Sequence, residues 1–213
     1  MLKYKIQVSP NHYLEPYDSL SRFISYYYQK DLFLKYAGNP NSQTKTLEIG
    51  IGSGFLKNYL HKVGYSIKTF DIDKKLKPDF VGDLFYIDRV IRHKKYEIIL
   101  GFEVFEHISF NDIESIIAKV QNINSKYLII SVPQIKLYIS FWIKVPIIKP
   151  IQKYFCLPFP KKHVFKKDHY WELGYSGYSL KDFVRNFEKF YILKHQFTAP
   201  LIPYYRYFVF MKK

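Results

Sequence analysis

Acidic residues are scarce in this sequence: 18 aspartates and glutamates stand against 33 lysines and arginines, a formal net charge of +15 over 213 residues. That balance favours an anionic partner, whether nucleic acid, acidic lipid or phosphorylated substrate. A chain rich in lysine, tyrosine and isoleucine is also what a nucleotide-biased genome produces, so the charge carries either meaning. Cysteine is scarcer still. Cys156 alone excludes an internal disulfide and fits a reducing compartment. No apolar run approaches the roughly 18 residues of a transmembrane segment. The opening stretch MLKYKIQVSPNHYLEPYD lacks the apolar core and small-residue cleavage site of a signal peptide. The expected address is therefore cytoplasmic, with peripheral contact at the inner membrane surface as an extension of it. Repeats and low-complexity linkers are missing too. Hydrophobic content of 48% and charged content of 24% describe a globular chain long enough for one full core.

What is present is alternation. The spacing predicts a helix over 19–36, with Leu20, Phe23, Ile24 and Tyr27 as its apolar face and Gly38 and Pro40 as breakers behind it. Short apolar runs follow as strands: TLEI, YSIKTF, DFVGD, YEIILGF and KYLIISV. A helix begins near Gly54. Another is expected after Asn111 as cap, with Glu114 closing a capping box and Ile113, Ile116, Ile117 and Val120 as its buried stripe. Ser179 opens a third, whose apolar face is Leu180, Phe183, Val184 and Phe187. Two closing strands, around FYILKHQF and RYFVFMK, can add an antiparallel edge. Strands alternating with helices imply an α/β fold: a doubly wound, mostly parallel, seven-stranded Rossmann-like sheet with helices on both faces. Residues 1–40 read as an N-terminal helical segment and 41–213 as the main domain. Residues 134–168 break the alternation with four prolines, many aromatics and many lysines. This insertion sits after the fifth strand, where open α/β sheets place ligand loops, and reads as a substrate lid or substrate-binding element, a surface-binding element, or structural packing. If it meets a membrane, Phe141, Trp142, Ile147 and Ile148 are expected to supply apolar contact while its lysines attract anionic lipid.

The stretch LEIGIGSGF carries the chemistry. Dinucleotide enzymes favour G-x-G-x-x-G, which brings a pyrophosphate to a helix N-terminus. Here Gly50, Gly52 and Gly54 follow G-x-G-x-G spacing, and Glu48 precedes them. An acid beside the loop suits an ammonium group rather than a phosphate. S-adenosylmethionine is such a ligand, with a sulfonium, an amino-acid tail and no phosphate. Asp71 stands at the end of the second strand, 23 positions after Glu48, where a carboxylate can take both ribose hydroxyls. Asp83, after the third strand, can accept from an adenine amino group.

Over roughly residues 40–133 the sequence resembles the class I S-adenosylmethionine-dependent methyltransferases, through TLEIGIGSGF, TFDIDKKLKPDFVGDL, YEIILGFEVFEHI and YLIISVP. The resemblance implies that Glu48, Gly50, Gly52 and Gly54 line the methionine end of the cofactor. Asp71 and Ile72 would flank its ribose and adenine, with Asp73 as rival for the ribose. Asp83 and Leu84 would hold the adenine edge, and Phe102 would border the sulfonium.

The acceptor side is expected at EVFEH and DHYWELG. Glu103, Glu106, His107 and His169 resemble the E-x-x-E-H plus later histidine of small-RNA 2′-O-methyltransferases and ubiquinone-pathway O-methyltransferases, where such a set holds a divalent metal ion. Three readings stay open. The four residues bind a metal, suited by their oxygen and nitrogen donors to Mg²⁺, Mn²⁺ or Zn²⁺. Or Glu106, His107 and His169 act without metal, a histidine serving as general base. Or Glu106 and His107 merely cap the next helix or bond within the loop. Trp171 reads as packing and Glu172 as a surface hydrogen bond; His12, His61, His93, His163 and His195 read as ordinary residues. The absence of an NPPY-type motif counts against the amino-methylating DNA enzymes. The functional expectation is O-methylation of a small-molecule or lipid-linked polyhydroxyl acceptor resembling a sugar. The alternatives are an RNA methyltransferase and a cofactor-binding partner subunit without catalysis.

Overall fold

The computed structural model describes residues 2–13, 19–40, 44–92, 95–157, 162, 165 and 168–213. Its strands are β1 (Lys45–Ile49), β2 (Ser66–Asp71), β3 (Phe80–Val81), β4 (Ile98–Phe102), β5 (Tyr127–Pro133), β6 (Leu137–Ile143), β7 (Ile151–Leu157), β8 (Tyr191–Thr198) and β9 (Tyr205–Lys212). Its α-helices are α1 (Leu20–Ala37), α2 (Phe55–Lys62), α3 (Ile87–Val90), α4 (Ile113–Val120) and α5 (Leu180–Glu188). Seven strands form one sheet in the order β3-β2-β1-β4-β5-β9-β8, and β6 pairs only with β7. Strands β1 to β5 pair in parallel, while β9 runs antiparallel to both β5 and β8. The last strand thus enters the sheet between its two neighbours and leaves β8 as the edge.

Period-two alternation sends neighbouring side chains to opposite faces. Ile98 and Leu100 of β4, Ile129 of β5 and Val209 of β9 pack with Phe33 of α1 and Leu60 of α2. Ile99, Leu128, Ile130 and Phe208 face the other way, into a cluster with α4 and α5. Both faces are covered, as strand–helix alternation implied. The stripe of α4 is as expected: Ile113, Ile116, Ile117 and Val120 are fully buried. The Ser179 hydroxyl accepts from Asp182 N at 3.1 Å and starts α5, whose Phe187 stacks on Phe210 with centroids 4.3 Å apart.

Two local expectations fail. The inward side of α1 carries Tyr26, Tyr28, Leu32 and Phe33, with Ser25 and Gln29, whereas Leu20, Phe23 and Tyr27 are exposed. Aromatic residues surround this helix, so apolarity alone marks no face; the shape of the sheet beneath chooses one. Asn111 does not cap α4. It lies inside a short 3-10 turn, Phe110–Asp112, that runs directly into the helix, and Glu114 pairs with Lys189 instead. The described residues of the first forty pack on both sides of the sheet. Tyr4 belongs to the cluster on one side of the sheet and Phe33 to that on the other.

The α1 assignment has a direct check. Phe33→Ala should cost about 3–5 kcal/mol through transfer and cavity terms, whereas Leu20→Ala, at a position 78% exposed, should change stability by less than about 0.5 kcal/mol. Urea denaturation of both variants measures the contrast.

Candidate active site

At the carboxyl end of β1 the chain turns through Gly50, Gly52 and Gly54, with φ of 79°, 51° and 75°. Glycine is required most strictly at Gly50: a Cβ there would lie 2.5 Å from Val104 Cγ2. Neighbouring elements brace the turn. Ile51 N donates to Asp71 Oδ2 at 2.9 Å, and the Tyr26 hydroxyl shares a 2.8 Å hydrogen bond with Ser53. Tyr26 also stacks on Phe55, the first residue of α2, at 4.2 Å.

Between this turn and the ends of β2 and β4 lies a cavity of about 320 Å³, within the range of small-ligand sites. Glu48, Gly50, Gly52, Asp71, Ile72, Asp83, Leu84 and Phe102 all line it. Gly54 does not; it is the residue before α2. Glu48 is buried, and its Oε2 has no hydrogen-bond partner. Burial pushes its carboxyl up to about 8, with Lys57 opposing in part.

The three aspartates differ. Asp71 accepts from Ile51 N and from Asp73 N, one bond to each oxygen, and faces the cavity with its remaining lone pairs. Asp73 accepts from Lys75 N and so starts a short 3-10 turn, while its Oδ2 is buried without a hydrogen-bond partner, so Asp73 stays a rival to Asp71 at the cavity. Asp83 is largely committed: Lys3 N, Tyr4 N and Phe85 N donate to it at 2.6, 2.7 and 2.8 Å. Its main visible work is to hold the N-terminal segment against the end of β3.

The acceptor-side residues divide. Glu106, His107 and His169 bring one candidate ligand atom each within 4.8 Å of one another, the one such group among the described residues. Glu103 is not in it. Its backbone is left-handed at φ 58°, and its carboxylate turns to α1, where Arg22 pairs with it and Ser25 Oγ and Gln29 Nε2 donate at 3.0 and 3.3 Å. The expected four-residue metal set is therefore three residues, because a nearby guanidinium takes the fourth.

Glu106 is buried, with Oε2 unpartnered and its carboxyl pushed up to about 8 by burial despite the opposing charge of His169. It caps no helix. Its carbonyl accepts from Tyr170 N at 2.8 Å, which brings the 168–172 segment back to this edge. The rings of His107 and His169 meet edge-on with centroids 5.1 Å apart. His107 Nδ1 contacts Asp168 O at 2.5 Å; burial, then the neighbouring His169, lowers its pKa to about 4. His169 Nδ1 contacts Glu172 Oε1 at 2.8 Å. Burial pulls His169 down, but the Glu172 bond and the surrounding carboxylates outweigh it and raise its pKa.

Trp171 is buried packing, its indole donating to Ile108 O at 3.0 Å. Glu172 is more than a surface group, since it holds both His169 and the Tyr204 hydroxyl, the latter at 2.8 Å. His12 lines the cavity beside Tyr13, as do Arg22 and Tyr205. No local pattern marks these residues, because they meet the site only across the fold. His61 and His195 lie outside the cavity, on α2 and β8; His93 and His163 lie outside the described residues. The end of the 134–168 insertion reaches the cavity through Asp168, but no residue of the β6–β7 hairpin lines it.

No protein-family model and no curated protein matches this sequence. Its fold, a 3-2-1-4-5 parallel core closed by an antiparallel last strand, is nevertheless shared with solved methyltransferase structures. It is similar to the PH0226 protein of Pyrococcus horikoshii OT3 at a TM-score of 0.62 and 11% identity, over 97% of each chain. It is similar to the 1,6-didemethyltoxoflavin-N1-methyltransferase of Burkholderia thailandensis at 0.63 and 10%, over 95% of this chain and 84% of that one. The magnesium protoporphyrin IX methyltransferase of Synechocystis PCC 6803, solved with bound S-adenosylmethionine, matches at 0.59 and 13%, over 90% and 81%. Identities this low establish the shared fold.

The Arg22–Glu103 pair should prove energetically coupled. Arg22→Met strands a mostly buried carboxylate and should cost on the order of 3 kcal/mol, while adding Glu103→Gln should recover much of the loss. Equilibrium unfolding of the two single variants and the double variant closes the cycle.

Proposed function

We propose that the protein is a methyltransferase that binds S-adenosylmethionine in this cavity and methylates an oxygen of a small or lipid-linked polyhydroxyl acceptor. The observation that carries the cofactor reading is Glu48: a buried carboxylate with an unpartnered oxygen, beside a glycine turn at the carboxyl edge of the sheet. A buried unpaired acid is costly unless a cation joins it, and the ligand's ammonium group is such a cation. Asp71 would accept from the ribose hydroxyls, Ile72 and Leu84 would flank the adenine, Phe102 would border the sulfonium, and Asp83 would contribute mainly by holding the adenine-side wall. Bound there, the cofactor supplies an electrophilic methyl group. The task left to the chain is alignment and proton removal.

For the proton, His169 is the better base. Glu172 orients its ring and raises its proton affinity, whereas burial weakens His107. Positions Glu106, His107 and His169 also support a second reading as a divalent metal site. Each imidazole uses Nδ1 on a carbonyl or carboxylate, the arrangement that leaves Nε2 to a metal. A metal would supply Lewis-acid activation of the acceptor hydroxyl. An RNA acceptor finds less support. The cations beside the cavity are few, and Arg22 among them is already paired with Glu103.

Calorimetry should give micromolar binding of S-adenosylmethionine, roughly −8 kcal/mol. Glu48 in the free protein holds its proton at pH 7, since its carboxyl is raised to about 8, and an ammonium beside it favours the ionised form. Binding at pH 7 should therefore release a proton to buffer, and Glu48→Gln should bind weakly without that release. Normal binding by Glu48→Gln and by Gly52→Val would overturn the site.

The base reading predicts that His169→Ala slows methyl transfer by about 10²- to 10⁴-fold with cofactor affinity unchanged, and that chelators are harmless. Loss of activity on chelation, restored by Mg²⁺, Mn²⁺ or Zn²⁺, would establish the metal reading instead. Titration of Mn²⁺ into the wild type and Glu106→Gln checks this without an acceptor.

A further inference from the structure

The β6–β7 hairpin has two unlike faces. Register pairs Leu137 with Leu157, Ile139 with Phe155, Phe141 with Lys153 and Ile143 with Ile151, so these eight side chains share one side. All eight are exposed, and seven are apolar. The other side meets the body of the protein through half-buried Ser140, Gln152 and Tyr154, while Tyr138, Trp142 and Cys156 on that side are exposed. There the Ser140 hydroxyl donates to Pro200 O at 2.8 Å, and the Tyr28 hydroxyl donates to Gln152 at 2.9 Å. The connecting turn adds exposed Val145, Ile147 and Ile148. Soluble monomers rarely leave so continuous an apolar surface facing water.

The charges around this face are of one sign. Residues 134–157 contain four lysines and no acid. Lys153 stands on the apolar face itself, and Lys144 and Lys149 sit in the turn. At the root of the hairpin, Lys136 donates to Thr198, and Arg206 donates to Gln196 and Gln134. These partners are neutral, so both charges remain uncompensated by any ion pair among the described residues.

We infer that the outward face of the β6–β7 hairpin docks on an anionic membrane, lying flat at the boundary between headgroups and acyl chains. An apolar face ringed by lysines is the strand counterpart of an interfacial amphipathic helix: acyl chains take the side chains and anionic headgroups take the lysines. Two constraints select this occupant and this pose. A second copy seated face to face would oppose its own Lys153 and lysine-bearing turn, with no acid on the face to offset them. Piercing insertion would carry the open edges of a two-stranded ribbon into hydrocarbon, where their backbone groups find no partner. Lying flat leaves those edges within reach of headgroups and water. The hairpin follows Pro133, which pairs with Tyr205 of the cavity wall, so docking would set the cavity near the membrane surface. The inference rests on the hairpin and not on the methyltransferase reading, although it would explain a lipid-linked acceptor.

The test uses the full chain with vesicles of phosphatidylcholine alone or mixed with phosphatidylglycerol. Trp142, 63% exposed, lies on the hairpin's other side with Ser140 and Gln152, so the reporter is moved to the apolar face by Phe141→Trp in a Trp142→Phe background, where the remaining tryptophan, Trp171, is fully buried. Mixed vesicles should sediment the protein and blue-shift the emission of the Phe141→Trp reporter. Changing Ile139, Phe141, Phe155 and Leu157 together to serine should weaken vesicle binding by more than about tenfold. Cofactor calorimetry on the same samples should be unchanged, which separates failure of this inference from failure of the cofactor site. Three results would each overturn it: no binding to mixed vesicles, equal binding by the four-serine variant, or a wild-type dimer that this variant dissociates.

Discussion

The structure turns on the cost of burying carboxylates at one end of a parallel sheet. Glu48, Asp83 and Glu106 are almost completely removed from water there, and Asp71 is largely so. A buried carboxylate must be met by hydrogen bonds or a positive charge, or else it keeps its proton. The four acids meet that demand differently. Asp71 and Asp83 accept backbone N–H groups, five between them, and by doing so clamp the glycine turn and the N-terminal segment to the strand ends. Glu48 and Glu106 each retain an unpartnered oxygen, as does Asp73 beside Asp71. The first pair builds the cavity and the second pair awaits what enters it.

Glu103 illustrates the same rule at the border of the site. Its left-handed backbone turns the carboxylate away from the two histidines, and α1 answers with Arg22, Ser25 and Gln29. Those polar residues take up part of the inward side of the helix, and Phe23 and Tyr27 are left facing solvent. The same helix braces the glycine turn through Tyr26. Helix α1 is therefore part of the site as much as part of the core.

Much of this was legible in the sequence where the signal is local. Gly50, Gly52 and Gly54 need left-handed backbone, and spacing alone exposes them. The stripe of α4 and the cap of α5 follow from periodicity and a single serine. The EVFEH and DHYWELG stretches come together as expected, since Tyr170 N and Glu106 O join their backbones. Other features had no local signal. Arg22, Tyr13, Tyr205 and the start of the chain reach the cavity from far along the sequence, and one helical turn of apolar spacing looks the same whichever side it buries.

By itself, then, the sequence determined the order of the strands and helices of the main sheet, the glycine turn and which acids stand at strand ends, because φ preference and periodicity act within a few residues. Only the tertiary structure decided which of those acids are satisfied and which are left open, because the donors that answer them come from across the fold. It likewise decided that the last strand slips between β5 and β8, since either position satisfies the same alternating pattern. It also decided that the 137–157 ribbon keeps one face on the body and turns the other outward. An apolar strand records that it will be buried in something; only the three-dimensional packing reveals that the protein itself does not supply the cover.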